Sequence, residues 1–341
     1  MRASVLVEPG RIEMQHRPVP RPEPGDVLVE VAAVGVCGSD AHYYRHGRIG
    51  PYVLREPLVL GHEASGRIVA VGDGVAPDRI GQRVSIEPQR PDPTSDESRA
   101  GRYNLCPHMR FYGTPPVDGA FCEYVTIGAS FAHPIPDHVS DEAAALLEPL
   151  SVGIAAIRKA RVAAGAHVLV AGAGPVGLVT AAAARAFGAT RIAVSDPDPV
   201  RRRRALDFGA THALDPAQVR AQRVDAFVDA SGAPPAVVDG MHAVRPAGTV
   251  VLVGMGADEM SLPVSLLQNR ELVLTGVFRY ANTWPLAIEL AASGAVDLDA
   301  MVTQRFPLDR VAEALDADRI PGNIKAVVTV RDGAAQEGRQ A

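Results

Sequence analysis

Cysteine is scarce in this sequence. Cys37, Cys106 and Cys122 are the three in 341 residues, and so small and odd a number argues against a disulfide scaffold, leaving each thiol free for metal binding or burial. An excess of positive charge is also missing. The formal net charge is −5, which offers no basic field to a phosphate backbone and argues against nucleic-acid binding. No run of about 18 or more uncharged apolar residues occurs, which argues against a membrane span. The opening residues MRASVLVEPG lack the basic, apolar and small-residue succession of a signal peptide, so a cytoplasmic protein is expected. No internal repeat is visible.

What is present suits a soluble globular protein. Apolar residues make up 47% and charged residues 21% of the chain, enough to bury a large core, and the length favours two domains. Up to about residue 150 the chain is rich in Pro and Gly, with short apolar runs such as VLVEVAAVGV, GRIVAVG and RVSIEP. Such runs between turn residues read as strands of a β-rich, barrel-like domain. From Ser151 the pattern alternates: GIAAIRKARV reads as helix, HVLVAGAG as strand, VGLVTAAAARAFGA as helix and RIAVSD as strand, with further apolar runs in VDAFVDASG, GTVVLVGMG and ELVLTGVF. That alternation predicts an α/β domain with a doubly wound parallel sheet over 151–284. Propensity does not decide whether 285–330 extends this sheet or returns to the first domain; a return to the first domain is expected. The polar tail 331–341 reads as disordered.

The motif Gly172-Ala173-Gly174-Pro175-Val176-Gly177 follows the strand HVLVA and opens an Ala-rich helix. Glycines there permit a tight turn and close backbone approach, and the helix N-terminus offers free N–H groups to a pyrophosphate. Asp196 closes the next strand, where its carboxylate would accept from an adenosine ribose and repel a 2′-phosphate, so NAD is expected. The run Arg201 to Arg204 could meet a 2′-phosphate, but charges at a helix start more often form a solvated face.

In the β-rich half three clusters stand out: Cys37-Gly38-Ser39-Asp40-Ala41-His42-Tyr43, Gly61-His62-Glu63 and Glu148-Pro149-Leu150-Ser151. Cys, His and Glu are ligand types that zinc accepts, and three protein ligands with an open fourth position make a catalytic site. Their wide spacing is a weak signal alone; a single Cys37 would more often be a buried small hydrophobe.

Together with GHEASG and AGAGPVGLV these clusters resemble the zinc-dependent medium-chain dehydrogenases, whose catalytic domain is GroES-like and whose cofactor domain is a Rossmann fold. GRYNLC, FYGTPPVDGAF, ALLEPLSVGI and GVFRYANTWPLAI are similar to sorbitol dehydrogenase and its polyol relatives, including xylitol dehydrogenases, over about residues 1 to 330. The resemblance implies Cys37, His62 and Glu63 as zinc ligands, with Glu148 touching the open position or entering coordination. It implies Ser39 and His42 as a proton relay, Asp40 as the acid orienting the zinc histidine, and Tyr43, Arg279 and Tyr280 as polyol contacts. Cofactor contacts are expected at Gly172, Gly174, Pro175, Val176, Gly177, Asp196 and Arg201, and at Val253, Gly254, Met255, Val277, Phe278 and Arg279 near strand ends. The implied reaction is NAD-linked oxidation of a secondary hydroxyl to a ketose in a cleft between the domains, by a homotetramer. Oxidation of butanediol, L-threonine, L-idonate or an aminocyclitol by the same chemistry is the alternative, and a non-enzymatic relative a more distant one.

PDPTSDESRAGRYNLCPHM, from Pro91 to Met109, carries one cysteine where many polyol dehydrogenases hold a second, structural zinc with four. Counting back from Cys106, the matching places hold Asp92, Ser95 and Ser98. Serine hydroxyls are poor zinc ligands beside thiolates, so one catalytic zinc and no structural one is expected.

Overall fold

In the computed structural model, which describes residues 1–330, the chain forms two compact units. One joins Met1–Glu148 to the segment that begins at Leu298, and the other runs Pro149–Asp297. The return to the first unit thus starts at Leu298, not at 285. The helix Trp284–Ala292 stays in the second unit because Trp284 and Ala287 are fully buried and the Trp284 ring packs 5.2 Å from that of Tyr280. The tail read as disordered lies outside the described residues.

In the first unit a seven-stranded sheet runs in the order 132–134, 83–86, 63–71, 26–35, 325–329 and 302–307, with Tyr124–Gly128 also paired to Asp26–Gly35. The strand Asp26–Gly35, DVLVEVAAVG, is buried along most of its length, as expected of a β-branched run between two partners. Val27, Val29, Val31 and Val34 join Ile68, Phe121 and Val328 in one core. The 26–35 strand lies antiparallel to both 63–71 and 325–329, and Gly35 stands opposite Glu63 on one side and Val327 on the other. Just past its end, Val36 N–H still donates to Ala326 O at 2.9 Å. The ends of three neighbouring strands therefore place Cys37, Glu63 and Lys325 at one end of the sheet. The helix Gly38–His46 follows directly.

The second unit holds six parallel strands in the order 212–214, 191–195, 167–171, 224–229, 244–252 and 273–276. Strand order reverses between His167–Ala171 and Val224–Asp229, which is the topological switch point where doubly wound sheets bind ligands. Leu169, Ala193, Phe227, Met241 and Val250 lie in its core.

Candidate active site

Cys37, His62 and Glu63 each present a ligand atom, and these three atoms lie within 4.8 Å of one another. Glu63 is 1% exposed and His62 7%, so two of the three are cut off from water. A buried carboxylate needs partners. Glu63 Oε1 accepts from Lys325 Nζ at 2.5 Å, while Oε2 is buried with no hydrogen-bond partner among the described residues. An unpartnered carboxylate oxygen beside a thiol and an imidazole is the donor set a zinc ion takes, and the three residues fit that ion. Gly35 makes room for the Glu63 carboxylate: a Cβ there would meet Oε2 at 2.0 Å.

Asp40, 1% exposed, ties this group together. Its Oδ2 accepts from Cys37 N–H at 3.1 Å and its Oδ1 from Gly61 N–H at 3.0 Å, and His62 Nδ1 lies 3.4 Å from Oδ1. Holding Nδ1 turns Nε2 toward the ligand group. Burial works against the Asp40 carboxylate, but His62 and the two N–H donors prevail and hold it below the usual range. Burial likewise opposes a charged His62, and Asp40 and Cys37 outweigh it, holding the imidazole well above its ordinary value. Lys325, 3% exposed, is raised too, against burial, by Glu63, Cys37 and Glu148.

Glu148 is buried in the first turn of the helix Leu147–Lys159. Ser39 is half-buried and His42 exposed on the helix Gly38–His46. The His42 ring packs 4.6 Å from that of His46; burial, then His46 and Arg45, push its proton affinity down, so it is neutral at neutral pH. Tyr43 is 3% exposed and packs in the core of the first unit. Cys122 is buried as well, and burial pushes its thiol up to about 12, which marks it as a packing residue.

In the second unit Gly172 follows the first strand at φ +95, Gly174 caps the helix Pro175–Ala186, and a Cβ at Gly177 would meet Gly172 O at 1.9 Å. Helix and turn approach that closely only with glycine at 177. Asp196, at the end of the next strand, accepts from Ala173 N–H through Oδ2 and from Asp198 N–H through Oδ1, both at 2.9 Å. Arg202 donates to the carbonyls of Asp196 and Pro197 and pairs with Asp215 at 3.2 Å; Arg201 is exposed. Val253 and Gly254 donate to Asp229 O at 2.9 Å, and Met255 is exposed. Val277 N–H donates to Leu252 O at 2.9 Å. Phe278 is exposed with the Arg279 guanidinium 4.7 Å over its ring. Arg279 takes φ +56, and Tyr280 is 1% exposed against Trp284.

The lobe Pro91–Met109 gathers the four positions matched to a structural zinc. Asp92 N–H donates to Cys106 Sγ at 3.2 Å, and Ser95 Oγ to Ser98 Oγ at 3.0 Å. The Asp92 carboxylate is turned to Thr94, accepting from its N–H at 2.8 Å and its hydroxyl at 2.7 Å. Burial raises the Cys106 thiol, but Ser95, the Asp92 and His108 backbone and Ser98 bring it below its ordinary value. The lobe is braced at its base by Glu87, a carboxylate 2% exposed. It accepts from Gln89 Nε2 at 3.0 Å and Tyr103 OH at 2.7 Å, and His133 Nε2 lies 2.9 Å away.

Two residues of these sites escape sequence reading. Lys325 opens the apolar run KAVVTV, and a charge at the mouth of a buried strand is the one signal it leaves. Asp229 ends the strand at the switch point; it accepts from Ser231 N–H and Oγ at 3.0 and 2.6 Å and from Gly232 N–H at 3.1 Å, shaping the loop. Burial raises its carboxyl despite these bonds.

Comparison with known proteins agrees with both units. Residues 23–137 match the alcohol dehydrogenase GroES-like domain and residues 175–293 the zinc-binding dehydrogenase domain. Sorbitol dehydrogenase of Bos taurus is 42% identical over 336 residues, covering 95% of this chain and 94% of that protein. Two solved Escherichia coli structures superpose closely. A short chain alcohol dehydrogenase complexed with NADH has TM-score 0.91 and 27% identity, covering 97% of this chain and 99% of that one. L-idonate 5-dehydrogenase has TM-score 0.91 and 28% identity, covering 96% and 98%. With a paired GroES-like and Rossmann architecture and a Cys-His-Glu donor set in the first unit, the chain belongs to the zinc-dependent medium-chain dehydrogenases, as an oxidoreductase that resembles sorbitol dehydrogenase over nearly its whole length.

Proposed function

We propose that this protein oxidises a secondary hydroxyl of a sorbitol- or xylitol-type sugar alcohol to the ketose, with NAD as hydride acceptor and one zinc ion held by Cys37, His62 and Glu63. The observation that carries the reading is a buried Glu63 carboxylate that offers an oxygen within 4.8 Å of the Cys37 and His62 ligand atoms and keeps its Oε2 without a hydrogen-bond partner among the described residues. The similarity to a sorbitol dehydrogenase supports the substrate class.

When bound, zinc would supply a Lewis acid that lowers the proton affinity of a hydroxyl, and NAD would supply the hydride acceptor. Asp40 fixes the tautomer and direction of His62. Glu148 supplies a buried carboxylate for the open position, and Ser39 Oγ and neutral His42 take the hydroxyl proton outward to solvent. Of the three expected polyol contacts, the half-buried Arg279 is assigned to a remaining hydroxyl; Tyr43 and Tyr280, 3% and 1% exposed, are packed away from solvent and present no surface to a polyol. On the cofactor side, Asp196 keeps lone pairs for ribose hydroxyls after its two backbone bonds, and its charge repels a 2′-phosphate. Arg202 is engaged by Asp215 and two carbonyls, which supports NAD over NADP. We further assign a homotetramer, to be checked by light scattering.

The lobe supports a single metal. Its four matched positions hold one thiol, two hydroxyls bonded to each other and a carboxylate turned away, a donor set that does not close a tetrahedral zinc site. Metal analysis should give one zinc per chain, and two would overturn this assignment. NADH formation across a panel of polyols and other secondary alcohols, with NADP in parallel, tests the reaction; no turnover of any polyol would sink the substrate class. The match to L-idonate 5-dehydrogenase favours a second reading, the same chemistry on a sugar acid, and L-idonate belongs in that panel.

A further inference from the structure

Lysine is among the residues least often buried, yet Lys325 is 3% exposed. Its position is set by register. Gly35 stands between Glu63 and Val327 on the flanking strands, and the Glu63 carboxylate lies across that glycine, its Oε2 at 2.0 Å from where a Cβ would be. The same carboxylate reaches over to the next strand, where Oε1 meets Lys325 Nζ at 2.5 Å. One oxygen is thus held by an ammonium and the other left for a metal. We infer that Lys325 is a positioning residue for the metal centre, the built-in cation that holds Glu63 in the metal-free protein and against which a divalent cation competes. This rests on the reading of Cys37, His62 and Glu63 as ligands.

The physical consequence has two opposite signs. Without an ion, Glu63 at 1% exposure would be a buried anion with no counter-charge, a strongly destabilising arrangement; Lys325 removes that penalty. With an ion, the ammonium is a third positive unit near a divalent centre, which repels the metal and draws electron density from the Glu63 carboxylate. Lys325 therefore stabilises the empty site and loosens the filled one. A residue that merely packed the strand would stabilise both states alike.

The test compares metal-free and zinc-loaded protein. Lys325→Gln keeps an N–H donor for Oε1 without the charge, Lys325→Met removes both, and Lys325→Arg keeps the charge. For the two neutral variants the melting temperature of the metal-free form should fall by about 5 °C or more. The gap between metal-free and zinc-loaded melting temperatures should widen, and zinc measured by chelator competition should bind on the order of tenfold more tightly. Lys325→Arg should return the gap toward the parent value. A neutral variant that is insoluble until zinc is added counts as the widened gap. Equal losses in both states with unchanged zinc affinity overturn the inference, as does aggregation of both neutral variants with and without zinc. If the parent protein itself takes up no zinc, the ligand reading fails instead, and the two failures are told apart by that control.

Discussion

Asp40 serves three donors from one buried carboxylate: two N–H groups that fix the ligand-bearing turns and the His62 ring. Asp40→Asn keeps the size and loses the charge, so zinc affinity by chelator competition should fall about 10- to 100-fold. Glu123 illustrates the same economy in a structural role. It accepts from Arg2 N–H at 2.7 Å and from Arg2 Nε at 2.8 Å; burial opposes its charge, but these bonds outweigh it and lower its carboxyl. A lowered folded value means that the stabilisation is present above the ordinary glutamate range and lost as pH falls through that value. Glu123→Gln should therefore cost about 1 kcal/mol at neutral pH in denaturant titrations, with the deficit shrinking as pH falls below the ordinary glutamate range. Cys37, His62 and Glu63 could be singled out in the sequence because their side chains are metal-ligand types. Lys325 could not, because what buries it is the pairing of a strand far along the chain, and a lone lysine reads as surface.

Whole elements were more legible than their partners. The glycine turn, the following helix and the acid at the end of the next strand come from local patterning, and they stand where the pattern places them. The helix Trp284–Ala292 was visible too, but not its allegiance, since the burial of Trp284 against Tyr280 is a tertiary fact. The contact of Gly177 with Gly172 O makes a sharp test. Gly177→Ala must push the helix off the turn, and NAD binding by fluorescence titration should weaken on the order of 100-fold while zinc content stays unchanged. In the lobe, the Tyr103 hydroxyl is one of the bonds that satisfy buried Glu87. Tyr103→Phe should cost about 1 to 2 kcal/mol and speed tryptic cleavage at Arg99 and Arg102, with activity retained.

At the scale of the molecule, composition set the class and alternation set the second unit, while the first unit's discontinuity had no local signature. The strand Lys325–Thr329 lies between Asp26–Gly35 and Val302–Pro307, so a chain stopped after Gly322 leaves two strand edges unpaired and strips Glu63 of its ammonium. Such a truncation should aggregate on expression even with zinc supplied, as judged by sedimentation of the lysate. That placement also has a consequence in time. A ribosome delivers Asp26–Gly35 and Glu63–Val71 early, then all of Pro149–Asp297, and only afterwards the strand that completes their sheet. Domains fold as units during synthesis, so the second unit can be finished while the first still waits. The nascent chain carries Cys37, His62 and Glu63 through most of its elongation without the strand whose Lys325 holds the Glu63 carboxylate in the metal-free protein.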